Sequence, residues 1–213
     1  MKEIGYLFDL DGVLIDSERE YTRIWNQIDE AYPSGKEDFA QKIKGQTLNK
    51  ILTENYPVEQ REAVNAMLHN LEGTMHYDYC EGAEQLLDRL ASSNSKVAVV
   101  TSSDSKKMAH LYDVLPSFRE KVNHIVDASK IRKSKPDPEG YLLAADELGV
   151  DIRNCVVFED SVQGVQAGKA SGAYVIGITG TKTYEELEPY SDTVIDRIED
   201  IRIDELKEQI LNR

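Results

Sequence analysis

The stretch Gly5-Tyr6-Leu7-Phe8-Asp9-Leu10-Asp11-Gly12-Val13 is a short apolar run that empties into two acids and a turn residue. An unbroken apolar run of this length suits a strand buried on both faces, with helices covering each side. Alternation along an extended chain places Asp9 and Asp11 on one side, with Leu10 turned away. Two carboxylates so close repel each other unless a cation or a shared proton relieves them. In open α/β sheets ligands bind beyond the carboxyl ends of strands, which is where this pair falls. Taken alone, Asp11-Gly12 also reads as an acidic hairpin turn.

Similar β-rich runs recur at residues 96–100, 155–158 and 173–178, with a last short one at 193–195. Between them lie helix-period segments, such as 82–91 with Leu86, Leu87 and Leu90, and 141–148, introduced by Pro138 and stopped by Gly149. A closing helix is predicted over 198–213. Strand and helix in alternation predict an α/β fold, a Rossmann-like three-layer core around a central parallel sheet. From Ser17 to about Tyr79 the rhythm breaks. Patterns such as Tyr21-Ile24-Trp25-Ile28 and Val64-Met67-Leu68-Leu71 are helical, and Pro33-Ser34-Gly35, Gly45 and Pro57 divide them into four helices. The predicted organisation is therefore a core of 1–15 and 80–213 with a small all-helical cap, 16–79, inserted after the first strand.

A 213-residue chain has room for one substantial core and one modest insertion. It contains no run of about 18 apolar residues, the length that would span a bilayer. The opening residues lack the basic, apolar and small-residue succession of a secretory signal, so a cytoplasmic location is expected. A net charge of −14, with Lys and Arg scattered, argues against nucleic acid or an anionic membrane as partner. It leaves open a small phosphorylated metabolite, provided that a local Lys and a divalent cation neutralise the charge where phosphate meets carboxylate. A monomer or weak homodimer is expected.

Three further elements complete the chemistry. Phe158-Glu159-Asp160-Ser161 repeats the apolar strand emptying into acids, followed by a helix start. Hard oxygen ligands from two strand ends suit an octahedral Mg²⁺; alone, the pair reads as acids at a helix N-terminus. Val100-Thr101-Ser102-Ser103-Asp104 follows a strand and opens a helix, offering the Thr101 hydroxyl and the Ser102 N–H to an anion. Lys133-Ser134-Lys135-Pro136-Asp137-Pro138 presents Lys135 from a proline-stiffened loop, a point charge for phosphate.

These four elements, in this order and across nearly the whole chain, resemble the haloacid dehalogenase superfamily, in its branch with a helical cap after the first motif. The resemblance implies that Asp9 attacks phosphorus, while Asp11 protonates the leaving oxygen and then activates water. It implies Mg²⁺ held by Asp9, the Asp11 carbonyl and Asp160, with Glu159 assisting directly or through water. Thr101 and Lys135 would bind the phosphoryl oxygens, with Leu10, Ser102 and Ser103 beside them and Gly45, Gln46 and Thr47 of the cap loop facing the rest of the substrate. The acid at Asp11 argues against a dehalogenase, because carbon–halogen displacement needs no proton donor.

Hydrolysis of a small phosphomonoester such as a sugar phosphate is the leading expectation. The alternative is a β-phosphoglucomutase. Mutases of that kind carry a His where this chain has Tyr21 and an Arg where it has Leu48, and without that Arg a second phosphate loses a bidentate clamp. A catalytically silent binding protein on the same fold is the remote third reading.

Overall fold

The computed structural model describes residues 3–43 and 48–211. Strand β1 (Gly5–Phe8) is followed by helices α1 (Ser17–Ala31), α2 (Phe39–Lys42), α3 (Leu48–Asn55) and α4 (Val58–Glu72). Helix α5 (Ala83–Ser92), β2 (Lys96–Val100), α6 (Ser105–Val114) and β3 (His124–Val126) come next. Then follow α7 (Glu139–Leu148), β4 (Cys155–Glu159), α8 (Val162–Ser171), β5 (Tyr174–Ile178), α9 (Tyr184–Leu187), β6 (Thr193–Ile195) and α10 (Ile203–Leu211).

The chain divides into two compact units, Met1–Asp16 with Asp78–Arg213, and Ser17–Tyr77. In the larger unit the six strands form one parallel sheet in the order β3-β2-β1-β4-β5-β6. All four residues of β1 are buried, as a strand covered on both faces requires. One face packs Leu7, Ala98 and Val157 with Tyr141, Ala144 and Leu148 of α7 and Val165 of α8. Phe8 and Phe158, paired in register on neighbouring strands, stack with ring centroids 4.3 Å apart.

Topology places the site. The chain builds outward from β1 through β2 to β3, then returns to β1's other side with β4 and builds outward the opposite way. The crevice beyond the carboxyl ends of β1 and β4 is the point where strand order reverses, the general ligand position of such sheets. Asp9 leaves β1 there, and Glu159-Asp160 leave β4 beside it.

The smaller unit is helical. Trp25 of α1 meets Phe39 of α2 edge-on at 6.0 Å, and Phe39 meets Tyr56 at 5.9 Å. The Tyr21 hydroxyl donates to Glu72 at 3.1 Å, tying α1 to α4. Gly45, Gln46 and Thr47, the substrate contacts expected from the cap loop, lie outside the described residues. At the junction inside the larger unit, Asp16 N–H donates to the Asp78 carbonyl and Cys80 N–H to the Leu14 carbonyl, each at 2.9 Å.

Two elements depart from the pattern read in the sequence. Strand β3 has only three residues at the sheet edge, too few to show a period. The closing helix begins at Ile203 rather than 198, after Ile198–Asp200 forms a separate 3-10 turn. Among the described residues no helix is long and apolar enough to cross a membrane.

Leu7 is completely buried between strand and helix layers. Leu7→Ala should lower unfolding stability by about 2–5 kcal/mol, the range for a truncated core leucine. Urea denaturation should show a lower midpoint at unchanged slope; a loss well under 1 kcal/mol would mean that this face is not packed as described.

Candidate active site

Asp9, Lys135, Glu159 and Asp160 converge at the switch point. The Asp9 N–H donates to the Phe158 carbonyl at 2.9 Å, continuing the β1–β4 ladder one step past the strand. Lys135 arrives from the loop before α7, and its Nζ donates to Asp9 Oδ1, to Glu159 Oε1 at 2.6 Å and to the Val100 carbonyl at 2.9 Å. One carboxylate oxygen each from Asp9, Glu159 and Asp160 lie within 4.8 Å of one another.

Glu159 is wholly buried and fully committed. Beyond Lys135 it accepts from the Tyr141 hydroxyl at 2.7 Å, the Ser161 hydroxyl at 2.9 Å and the Ser161 N–H at 3.3 Å. Ser161 caps α8 by accepting from the Gly164 N–H at 3.0 Å, so the helix start and the acid share one hydroxyl. A Cβ on Gly164 would stand 1.8–2.0 Å from the Glu159 carboxylate, which only glycine permits.

Asp160 occupies a separate niche, where its Oδ2 accepts from the Thr181 hydroxyl at 2.5 Å. Gly12 closes that niche with φ +82°, and a Cβ there would lie 2.1 Å from the same oxygen. Asp11 is turned elsewhere. Its Oδ1 pairs with Lys107 Nζ at 2.6 Å and its Oδ2 accepts from the Ser103 hydroxyl at 2.9 Å.

The stretch after β2 opens a helix, as the sequence reading expects. Helix α6 starts at Ser105, and its cap is Asp104, which accepts from the N–H groups of Lys106 and Lys107. Ser102 is thus exposed on a loop before the helix, and the helix terminus already has its own anion. Thr101 is buried, its hydroxyl oxygen accepting from the Ser103 N–H at 3.0 Å. Leu10 is buried, and its carbonyl accepts from the N–H groups of Leu14 and Ile15.

Lys107, Tyr141 and Thr181 went unrecognised as site residues in the sequence. Their partners Asp11, Glu159 and Asp160 are 96, 18 and 21 positions away, so no local motif marks them.

Burial raises the Asp9 carboxyl well above the ordinary carboxylate range; Lys135 opposes this, while Glu159, Asp160 and Asp11 add to it. Asp160 is pushed up to about 7, by burial first and then by Glu159. Burial alone would lower Lys135, but Asp9 and Glu159 hold its ammonium above the usual value. The Cys80 thiol is pushed up to about 12 by burial and the neighbouring acids, which keeps it protonated and a poor nucleophile. A buried, all-carboxylate donor set with excess negative charge fits a hard divalent cation.

A sequence model of haloacid dehalogenase-like hydrolases matches residues 6–178 of this chain. Hexitol phosphatase A of Escherichia coli is 29% identical over 209 residues, spanning 93% of both chains. Beta-phosphoglucomutase of Bacillus subtilis is 28% identical, spanning 81% of both. The crystal structure of a HAD hydrolase, family IA, variant 3, from Entamoeba histolytica matches with a TM-score of 0.80 and 27% identity, covering 100% of both chains.

An acid whose folded value lies above its unfolded value binds more protons when folded, so its burial costs stability once pH exceeds the unfolded value. In chelator, Asp160 should therefore subtract stability as pH rises from about 4 toward about 7, so Asp160→Asn should gain on the unaltered chain over that window. Thermal unfolding at a series of pH values measures this. Parallel curves for the two proteins would count against the burial described for Asp160.

Proposed function

The chain belongs to the haloacid dehalogenase-like hydrolase family, and from that premise we propose that it hydrolyses a small phosphomonoester, such as a sugar phosphate, through an aspartyl phosphate on Asp9. One observation carries the reading: a buried carboxylate at the sheet's switch point, gripped by a buried lysine and flanked by two further acids. That is the equipment of nucleophilic phosphoryl transfer, in which positioning and charge neutralisation do most of the catalysis.

Lys135 engages Asp9 Oδ1, which leaves Oδ2 to attack phosphorus as the bond to the leaving alcohol breaks. Asp11 gives its proton to the departing oxygen. It then takes a proton from the water that attacks the aspartyl phosphate, releasing phosphate and restoring both acids. Ser103 holds Asp11 for these transfers. Thr101 and Lys135 bind phosphoryl oxygens, with Leu10, Ser102 and Ser103 alongside.

The acid cluster suits Mg²⁺, with Asp9, Asp160 and the Asp11 carbonyl as its holders. Bound there, the cation would neutralise the charge between carboxylates and phosphoryl oxygens. Glu159, with both oxygens engaged by Lys135, Tyr141 and Ser161, anchors the lysine and would assist at the cation directly or through water.

Hydrolysis is preferred over mutation of a sugar phosphate on a feature of the smaller unit. Tyr21 stands where the sequence resemblance places a mutase histidine, and its hydroxyl is given to Glu72. The relative named beta-phosphoglucomutase makes isomerisation the competing outcome.

The test follows two products in Mg²⁺, with EDTA controls: phosphate from a panel of sugar phosphates, and glucose 6-phosphate from β-glucose 1-phosphate primed with the bisphosphate. Phosphate release that disappears in EDTA, and falls on the order of 10⁴-fold or more in Asp9→Asn, is the expected result. Fast isomerisation with scant phosphate would replace the phosphatase reading with a mutase. Turnover that survives Asp9→Asn would remove the nucleophile assignment.

A further inference from the structure

Glu159 and Asp160 are neighbours in sequence but are held by different parts of the fold. Glu159 faces α7 and the start of α8, whereas Asp160 meets the turn after β1 and the loop between β5 and α9. In that second setting, Asp160 Oδ2 is fixed from two sides. Thr181 donates its hydroxyl to it at 2.5 Å, and the backbone at Gly12 comes so close that a Cβ there would lie 2.1 Å from the oxygen and 3.3 Å from the Thr181 hydroxyl. Asp160 is only 4% exposed.

We propose that Thr181 is a positioning residue that commits Asp160 Oδ2 to the protein, restricts Asp160 to binding a cation through Oδ1 alone, and thereby favours Mg²⁺ over Ca²⁺. The inference rests on the reading above that the acid cluster holds a divalent cation. Its physical basis is coordination chemistry. Mg²⁺ demands a near-ideal octahedron of about six oxygens at roughly 2.0–2.1 Å and takes carboxylates one oxygen at a time. Ca²⁺ accepts about six to eight oxygens at roughly 2.3–2.6 Å and often grips both oxygens of one carboxylate. A carboxylate with one oxygen bonded to a hydroxyl and packed against a glycine backbone must break that bond and crowd that backbone to turn both oxygens toward one cation. Partners that orient a ligand in this way are worth about 10–100-fold in metal affinity. Here the effect falls unequally on the two cations, because only Ca²⁺ gains when the second oxygen is released.

Thr181→Val keeps the side-chain shape and removes the donor, while Thr181→Ser keeps the donor. Calorimetric titration of the full chain with MgCl₂ and with CaCl₂, without substrate, reads the two affinities directly, with Asp160→Asn as the control for the site. Thr181→Val should narrow the preference for Mg²⁺ over Ca²⁺ by about tenfold, and Thr181→Ser should hold it near the wild-type ratio. A folded Thr181→Val protein with an unchanged ratio overturns the proposal and leaves cation binding at the acid cluster standing. A wild-type chain that takes up neither cation, or an Asp160→Asn variant that binds both as wild type does, overturns both. Should Thr181→Val fail to fold, the same ratio in Thr181→Ala decides.

Discussion

The ammonium of Lys135 is the interaction on which the rest of the site depends. It has three N–H bonds to give and gives them to Asp9, Glu159 and the Val100 carbonyl, which tie together the ends of β1, β4 and β2. Burying one carboxylate without a partner is costly, and this crevice buries three. A single cation shared between two of them makes the arrangement tolerable, but the cluster keeps a net negative charge. Burial raises Asp9 and Asp160, the remaining negative charge adds to it, and that charge is what a divalent cation is suited to remove. Breaking the lysine would expose the other partners to the full desolvation penalty, so its loss should harm folding as well as chemistry.

The backbone is shaped around those acids. Glycine stands at 12 and 164 because a carboxylate occupies the volume that a Cβ would need. Ser161 serves the cap of α8 and Glu159 together, so the helix cannot shift without moving the acid. Site geometry and local secondary structure are in this way the same set of contacts.

Much of this was legible in the sequence. Continuous apolar runs mark buried parallel strands, and acids placed at their ends mark the ligand edge; both signals are local, so Asp9, Glu159, Asp160 and the sheet itself could be read from the chain. The prolines that stiffen the loop around Lys135 marked it as a candidate, and the resemblance to a known family then tied it to the acids. What could not be read depends on tertiary proximity. Lys107 sits in the first turn of a helix, where lysine is ordinarily solvated, and only the fold brings it 2.6 Å from Asp11. The stretch from Val100 to Asp104 opens a helix as read, but Thr101, Ser102, Ser103 and Asp104 are all good cap residues, so no local signal picks out Asp104 as the cap of α6.

Asp9 and Asp11, two positions apart, are given different surroundings, and the difference suits the two roles proposed for them. Asp9 has a 12% exposed side chain and a buried lysine; Asp11 keeps 31% of its side chain exposed and is held by Lys107 and Ser103. A nucleophile benefits from a dry, fixed setting in which its charge is balanced and its orientation set before substrate arrives. A group that must pass protons to an alcohol and from a water needs contact with solvent and freedom to be released from its partners. Environments that diverge between neighbouring carboxylates are how a fold assigns two roles to one residue type. Lys107 and Ser103 achieve the separation here, because they hold the Asp11 carboxylate outside the group formed by Asp9, Glu159, Asp160 and Lys135.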